Sequence, residues 1–234
     1  MLGDNRNLVA RLFGPSLEEV VRVASEGSVP GSRPLVWDVF PEVHVKCTEN
    51  RLAEVLVRRF GDAVFSLTGG AFASSVGAAL VARGWTLSVA ESCTGGLIGH
   101  LVTEIPGASN WFRLGVVSYS NEAKTGVLGV PVDVISRHGA VSAKCVEAMA
   151  YSCRALGGSD VGIAVSGIAG PGGATLGKPV GTVWVGLAWK GGTTSSRLEL
   201  AAAGSRERIK LASAYHALDR ARILALSGKG ELFQ

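Results

Sequence analysis

Two textures of hydrophobic and polar positions divide the chain. Up to about residue 70 the pattern is broken. Four of the eight prolines (Pro15, Pro30, Pro34 and Pro41) fall here, and the apolar positions come in short pieces. Residues 17–24 suit a short helix, with Ser16 as N-cap and Glu19 in the capping-box place. The stretch 27–34 reads as a loop. Residues 42–48 (E-V-H-V-K-C-T) alternate apolar and polar and read as a strand. Residues 50–60 carry Leu52, Val55, Leu56 and Arg59 at helical spacing, with Gly61 as the stop. This is strand-then-helix material, too little for a robust separate core.

From about residue 71 the pattern is regular. A small-residue helix over 71–83 ends at Gly84. Apolar strands are expected at 86–90, 114–119 and 161–165, and helices at 95–102, 121–127 and 142–156, the last capped by Ser142. Residues 182–189 and 194–200 form two strands joined at Lys190, Gly191 and Gly192, a hairpin pattern. A long helix over 206–226 closes the chain. No internal repeat is visible. Strands alternating with helices, plus one hairpin, predict an α/β sandwich with a mixed sheet.

Composition narrows the class. Hydrophobic residues make up 47% and charged residues 18%, which excludes a disordered or coiled-coil chain. Glycine accounts for 32 of 234 residues without a G-x-y period, and many cluster in loops, where a backbone approaches a ligand closely. The formal charge of +4 contains no run of five Lys or Arg. It suits an anionic metabolite and argues against a nucleic-acid partner. No stretch of 18 apolar residues is present, and Asp4, Asn5, Arg6 and Asn7 stand where a signal peptide needs an apolar core. A cytoplasmic protein without a membrane partner is the expectation. Cys47, Cys93, Cys145 and Cys153 form no C-x-x-C, and the four histidines form no H-E-x-x-H, so no metal is expected.

Three loops can carry chemistry. The first, 91–96 (E-S-C-T-G-G), joins a strand end to a helix start, where free N–H groups suit an anion or oxyanion. It also reads as a plain tight turn with Ser92 or Thr94 as N-cap, and Cys93 is a candidate thiolate there. The second, 106–112 (P-G-A-S-N-W-F), is followed by 119–124 (Y-S-N-E-A-K). Ser109 with Lys124 makes a candidate serine–lysine pair, because a desolvated lysine loses its proton more readily and accepts that of the serine. Tyr119 is a candidate relay. The third loop runs from Ser166 through Gly170, Gly172 and Lys178 to Gly181. Residues 172–178 read G-x-x-x-x-G-K, but Pro179 and a strand follow, which excludes a P-loop nucleotide hydrolase. A glycine-rich cradle for a single phosphate remains. Arg206 and Ser205, at the start of the closing helix, suit a carboxylate or phosphate, or a solvated first turn.

In order along the chain stand A-E-S-C-T-G-G, P-G-A-S-N-W-F, Y-S-N-E-A-K, H-G-A-V-S, S-G-I-A-G-P-G-G and K-P-V-G-T-V-W. Together they resemble the C-terminal domain of the CinA (competence/damage-inducible) proteins, a family that includes stand-alone nicotinamide-nucleotide amidases. The resemblance covers about residues 71–226. It implies a three-layer α/β/α sandwich with a mixed sheet, no cofactor, no metal and a homodimer. It implies hydrolysis of nicotinamide mononucleotide to nicotinate mononucleotide and ammonia, within pyridine-nucleotide recycling. The family's nucleophile is carried onto Ser109, its base onto Lys124 and its tyrosine onto Tyr119. Ser92, Thr94 and Gly95 lie in its active-site loop. Ser166 and Arg206 match family positions, and the loop with Gly170, Gly172 and Lys178 is, with Arg206, the candidate phosphate site. Lys210 departs from the pattern, standing where many relatives carry a second arginine.

Residues 42–66 resemble the region that joins the two domains of long family members. Residues 1–70 are therefore expected to be an N-terminal extension, a remnant of that inter-domain region without pyrophosphatase activity, and 71–234 the amidase-like domain. Two alternatives stay open: a non-catalytic nucleotide-binding or regulatory module, and a cysteine amidase acting through Cys93.

Overall fold

The computed structural model describes residues 8–29 and 33–227. The loop expected over 27–34 lies partly outside the described residues, as do the first seven and last seven positions. The chain divides into two compact units, Met1–Ser75 and Val76–Gln234.

The first unit holds β1 (Leu8–Phe13), α1 (Leu17–Gly27), β2 (Leu35–Val39), β3 (Glu42–Cys47), α2 (Asn50–Phe60), β4 (Val64–Ser66) and the start of α3 (Phe72–Ala82). Its strands form an antiparallel sheet in the order β2-β3-β1-β4. Ser16 caps α1 as expected, its Oγ accepting from the Glu19 N–H at 3.2 Å. Contrary to the expectation of too little core, one is present. Alternate residues of β1 (Leu8, Ala10, Leu12) and β3 (Val43, Val45, Cys47) meet one face each of α1 (Val20, Val23, Ala24) and α2 (Leu52, Ala53, Leu56), all buried. The sequence pattern shows neither β1, β2 nor β4, and these three strands complete the sheet.

The second unit is the three-layer α/β/α sandwich with a mixed sheet. Its elements are β5 (Leu87–Glu91), α4 (Leu97–Thr103), β6 (Phe112–Val117), α5 (Asn121–Gly126), α6 (Val132–His138), α7 (Ala143–Leu156), β7 (Val161–Gly167), β8 (Thr182–Trp189), β9 (Gly192–Glu199) and α8 (Arg206–Ser227). The sheet order is β6-β5-β7-β8-β9. β5 pairs in parallel with β6 and β7, and β7-β8-β9 continue antiparallel. Small residues let α7 lie close on one face. A Cβ on Gly162 would collide with the Ala150 carbonyl oxygen, and one on Gly186 with that of Val146. Ala90, Ala164 and Ala188 share that face with Val146, Met149 and Cys153. Because side chains alternate along a strand, α8, which also contacts β7 and β8, covers the opposite face. Among the described residues no helix is long and apolar enough to cross a membrane.

The register places the functional edge. Glu91 is level with Val117 on one side and Val165 on the other. The next residues, Ser92, Ser118 and Ser166, therefore lie together at the carboxyl edge of the three parallel strands. The connection after β5 leads to β6 on one side, while β7 leads to β8 on the other. The gap between β5 and β7 is thus a topological switch point, where open α/β sheets hold ligands.

Candidate active site

Ser92 follows β5 directly. Its N–H donates to the Val165 carbonyl at 3.0 Å, and the Ser118 N–H donates to the Glu91 carbonyl at 2.8 Å. These bonds hold the first residue beyond each strand. After β6 the chain turns at Ser120, whose Oγ caps α5 by accepting from the Ala123 N–H at 3.1 Å. One turn into α5, Lys124 is 1% exposed. Its Nζ reaches back to the Ser118 carbonyl at 2.8 Å, the Tyr119 carbonyl at 3.1 Å and Ser92 Oγ at 3.1 Å. Burial holds the Lys124 ammonium below its ordinary pKa of 10.5. A neutral amine has two hydrogens and one lone pair. The Ser120 carbonyl is farther, at 3.5 Å, so in the neutral form, with both hydrogens on the two nearer carbonyls, the amine turns its lone pair to Ser92 Oγ.

This contact corrects the expected pairing. Ser109 sits in a short 3-10 turn, Ala108–Asn110, before β6, whereas Tyr119 and Lys124 come after it. Leu87, at the start of β5, donates its N–H to the Trp111 carbonyl, so this turn lies at the amino edge of the sheet. A six-residue strand at ~3.3 Å per residue separates the two ends by roughly 20 Å. Ser109 is exposed there, and Ser92 stands against Lys124 instead.

A cavity of about 220 Å³ opens over the dyad. Six of the candidate residues line it: Ser92, Cys93, Tyr119, Lys124, Ser166 and Arg206. Ser166, 1% exposed, donates from Oγ to the Ala140 carbonyl at 2.8 Å. Arg206, in the first turn of α8, donates to the Gly170 carbonyl and, at 3.4 Å, to Tyr119 Oη. The remaining expected residues stand elsewhere. Thr94 is fully buried and lines no part of the cavity. Gly95 and Gly170 serve the backbone, with left-handed φ of 62° and 79°. Gly172 is exposed on the outer part of its loop. Lys178 donates from Nζ to the His138 carbonyl at 3.3 Å, tying its loop to the end of α6 rather than reaching into the cavity.

Asn121, Ala140, Val141, Gly167 and Ala169 also line the cavity, and none carries a side chain that the sequence alone marks for chemistry. The motifs Y-S-N-E-A-K, H-G-A-V-S and S-G-I-A-G contain all five, so the motifs were the available signal. The open amides expected before α4 are occupied by a protein group. The Glu91 carboxylate accepts from the N–H groups of Gly96, Ile98 and Gly99 at 3.0, 3.1 and 2.9 Å. Burial pushes the Cys93 thiol up to about 12, which leaves it protonated near neutrality and removes the basis for a thiolate nucleophile. Among the described residues no cluster of three His, Cys, Asp or Glu could hold a metal ion.

Comparison with known proteins agrees with this architecture. The model of the CinA C-terminal domain matches residues 66–224. A putative competence-damage inducible protein of Caldanaerobacter subterraneus subsp. tengcongensis is 39% identical over 233 residues, covering 93% of this chain and 55% of the relative. A CinA-like protein of Anaeromyxobacter sp. is 46% identical over 193 residues, 79% of this chain and 47% of the relative. The chain thus spans about half the length of the curated relatives it matches. Among crystal structures, a CinA superfamily protein from Klebsiella pneumoniae superposes with a TM-score of 0.64 at 35% identity, over 67% of this chain and 96% of that one. A competence/damage-inducible protein from Agrobacterium tumefaciens gives 0.62 at 34% identity, over 69% and 99%. The match to the family model covers more than half of the residues, and the chain belongs to the CinA C-terminal domain family.

Proposed function

We propose that this chain is a serine amidohydrolase with Ser92 as nucleophile and Lys124 as general base, acting on nicotinamide mononucleotide. The observation that carries it is the 3.1 Å contact between Lys124 Nζ and Ser92 Oγ, beside a cavity at the sheet's switch point. A lysine with a lowered pKa, its hydrogens committed to carbonyls and its lone pair on a serine, is the arrangement that nucleophilic catalysis without histidine requires. The substrate is the one the family resemblance implies.

Neutral Lys124 takes the Ser92 proton as Oγ attacks the carboxamide carbon. The cationic pyridinium ring makes that carbon electrophilic. The Lys124 ammonium then gives its proton to the departing nitrogen, and ammonia leaves. Lys124, neutral again, takes a proton from the attacking water and returns it to Ser92 Oγ as the acyl–oxygen bond breaks, releasing nicotinate mononucleotide. Arg206 and Asn121, at the cavity wall, are the polar groups available to the phosphoribosyl part. Tyr119 Oη, which accepts from Arg206, orients that guanidinium. Residues 71–234 carry the activity, in a cytoplasmic homodimer.

The test is incubation with nicotinamide mononucleotide, nicotinamide riboside and nicotinamide, following ammonia and the matching acid. Turnover of the mononucleotide well above the other two supports both reaction and substrate. Turnover of none by folded protein refutes the amidase in favour of a binding module.

A further inference from the structure

We propose that Glu91 is the positioning residue of this site: its buried carboxylate holds the loop that aims Ser92 at Lys124. It rests on the assignment of Ser92 as nucleophile. Glu91 is the last residue of β5 and is 2% exposed. Its Oε2 accepts from the Gly96 and Ile98 N–H groups, and its Oε1 accepts from that of Gly99. The residue just before Ser92 therefore grips the chain five to eight residues beyond itself. Between these points the chain reverses through two successive left-handed glycines, Gly95 at φ 62° and Gly96 at φ 95°. The Gly95 N–H also donates to the Ser92 carbonyl at 3.1 Å.

Ser92 is thus fixed from three directions. Its own N–H is bound to β7, the carbonyl before it is bound by Ser118 beyond β6, and the loop after it is clasped by Glu91. A buried carboxylate with three N–H donors is well satisfied, and these charge-assisted bonds are stronger than neutral ones. Lys124 has its own anchors, the carbonyls of Ser118 and Tyr119, which do not involve the Glu91 side chain. The clasp therefore sets the place of the nucleophile and leaves the base where it is. A reacting oxygen displaced by about 1 Å loses on the order of 100-fold in rate. The same clasp takes the Gly96, Ile98 and Gly99 amides at the start of α4, and the Leu97 amide donates to the Thr94 carbonyl, so donors to a developing oxyanion come from elsewhere on the cavity wall.

Glu91→Gln separates positioning from folding. The amide oxygen keeps one side of the clasp, while the amide nitrogen brings a donor against an N–H. The probe is a fluorophosphonate that esterifies an activated serine, with fluoride as the leaving group. The labelled residue is identified by mass spectrometry, and the rate constant and final stoichiometry are measured across pH. The stoichiometry counts folded sites, so the rate constant remains informative for a variant that folds only in part. The expected result is wild type labelled at Ser92, with Glu91→Gln labelled to the stoichiometry of its folded fraction but about tenfold more slowly. The pH midpoint is expected to be the same in both. An equal rate constant overturns the proposal, as does a loss confined to stoichiometry or a displaced midpoint. Wild type left unlabelled at Ser92 overturns it too, through the failure of the nucleophile assignment beneath it.

Discussion

Replacing Lys124 by methionine separates chemistry from stability. The two side chains are similar in length, and methionine tolerates the buried position. Two carbonyls, those of Ser118 and Tyr119, lose their donor, at a cost of about 1–3 kcal/mol for each acceptor left buried and unmet. Against this, the variant no longer carries an amine whose charged form burial disfavours. The two effects oppose each other, so the expected change in unfolding free energy is within about 2 kcal/mol. The catalytic loss is larger. A positioned general base contributes about 10²–10⁴-fold, or roughly 3–5 kcal/mol of barrier. The assay is ammonia release from nicotinamide mononucleotide, alongside urea denaturation. Lys124→Met retaining more than a tenth of wild-type turnover would refute the assignment of Lys124 as base.

The lowered pKa also fixes the sign of two pH dependences. The rate should rise with pH through a midpoint below 10.5, as neutral Lys124 accumulates. A wild-type midpoint at or above that value would count against the same assignment. In the folded protein the charged lysine is disfavoured relative to the unfolded chain. Stability from this group is therefore lowest below the folded pKa and rises between that value and 10.5. Lys124→Met should remove that rise.

Two further outcomes follow from the packing. Cys93→Ala should keep wild-type turnover, and thiol-directed reagents near neutrality should leave the enzyme active, because burial pushes the thiol up to about 12; inactivation traced to Cys93 would restore the cysteine mechanism. Gly162→Ala should destabilise by about 3 kcal/mol in denaturant titration, since its new methyl meets the α7 backbone, with turnover per folded molecule unchanged; a neutral effect would mean that α7 can retreat.

Much of the second unit is legible in the sequence, for local reasons. The α7 cap at Ser142, the stop at Gly84 and the 182–189 and 192–199 hairpin are each written in a few adjacent residues. The strands β1, β2 and β4 are not. β2 (L-V-W-D-V) is a sheet edge with exposed Leu35 and Val39 and only Val36 packed against the core, so it shows no apolar-polar alternation, and β4 is three residues long. β1 (L-V-A-R-L-F) carries Arg11, whose charge makes sense only once Glu42 of β3, diagonal to it across the strand pair, is in contact at 2.6 Å. The short helix α6 is also absent from the sequence pattern. All the polar residues of the dyad region were visible as motifs, but their pairing was not. Ser109 and Ser92 both stand upstream of Lys124, at 15 and 32 residues, and sequence distance favours the nearer. What decides is that a strand of six residues intervenes in one case, and a parallel register sets the two neighbours level in the other.

The most direct measurement compares Ser92→Ala and Ser109→Ala for nicotinate mononucleotide formation from nicotinamide mononucleotide, with both variants shown to be folded. Ser92 as nucleophile requires turnover to collapse by at least about 10³-fold in the first variant and to stay near wild type in the second. Collapse in Ser109→Ala with activity kept in Ser92→Ala would contradict the dyad that the structure assembles.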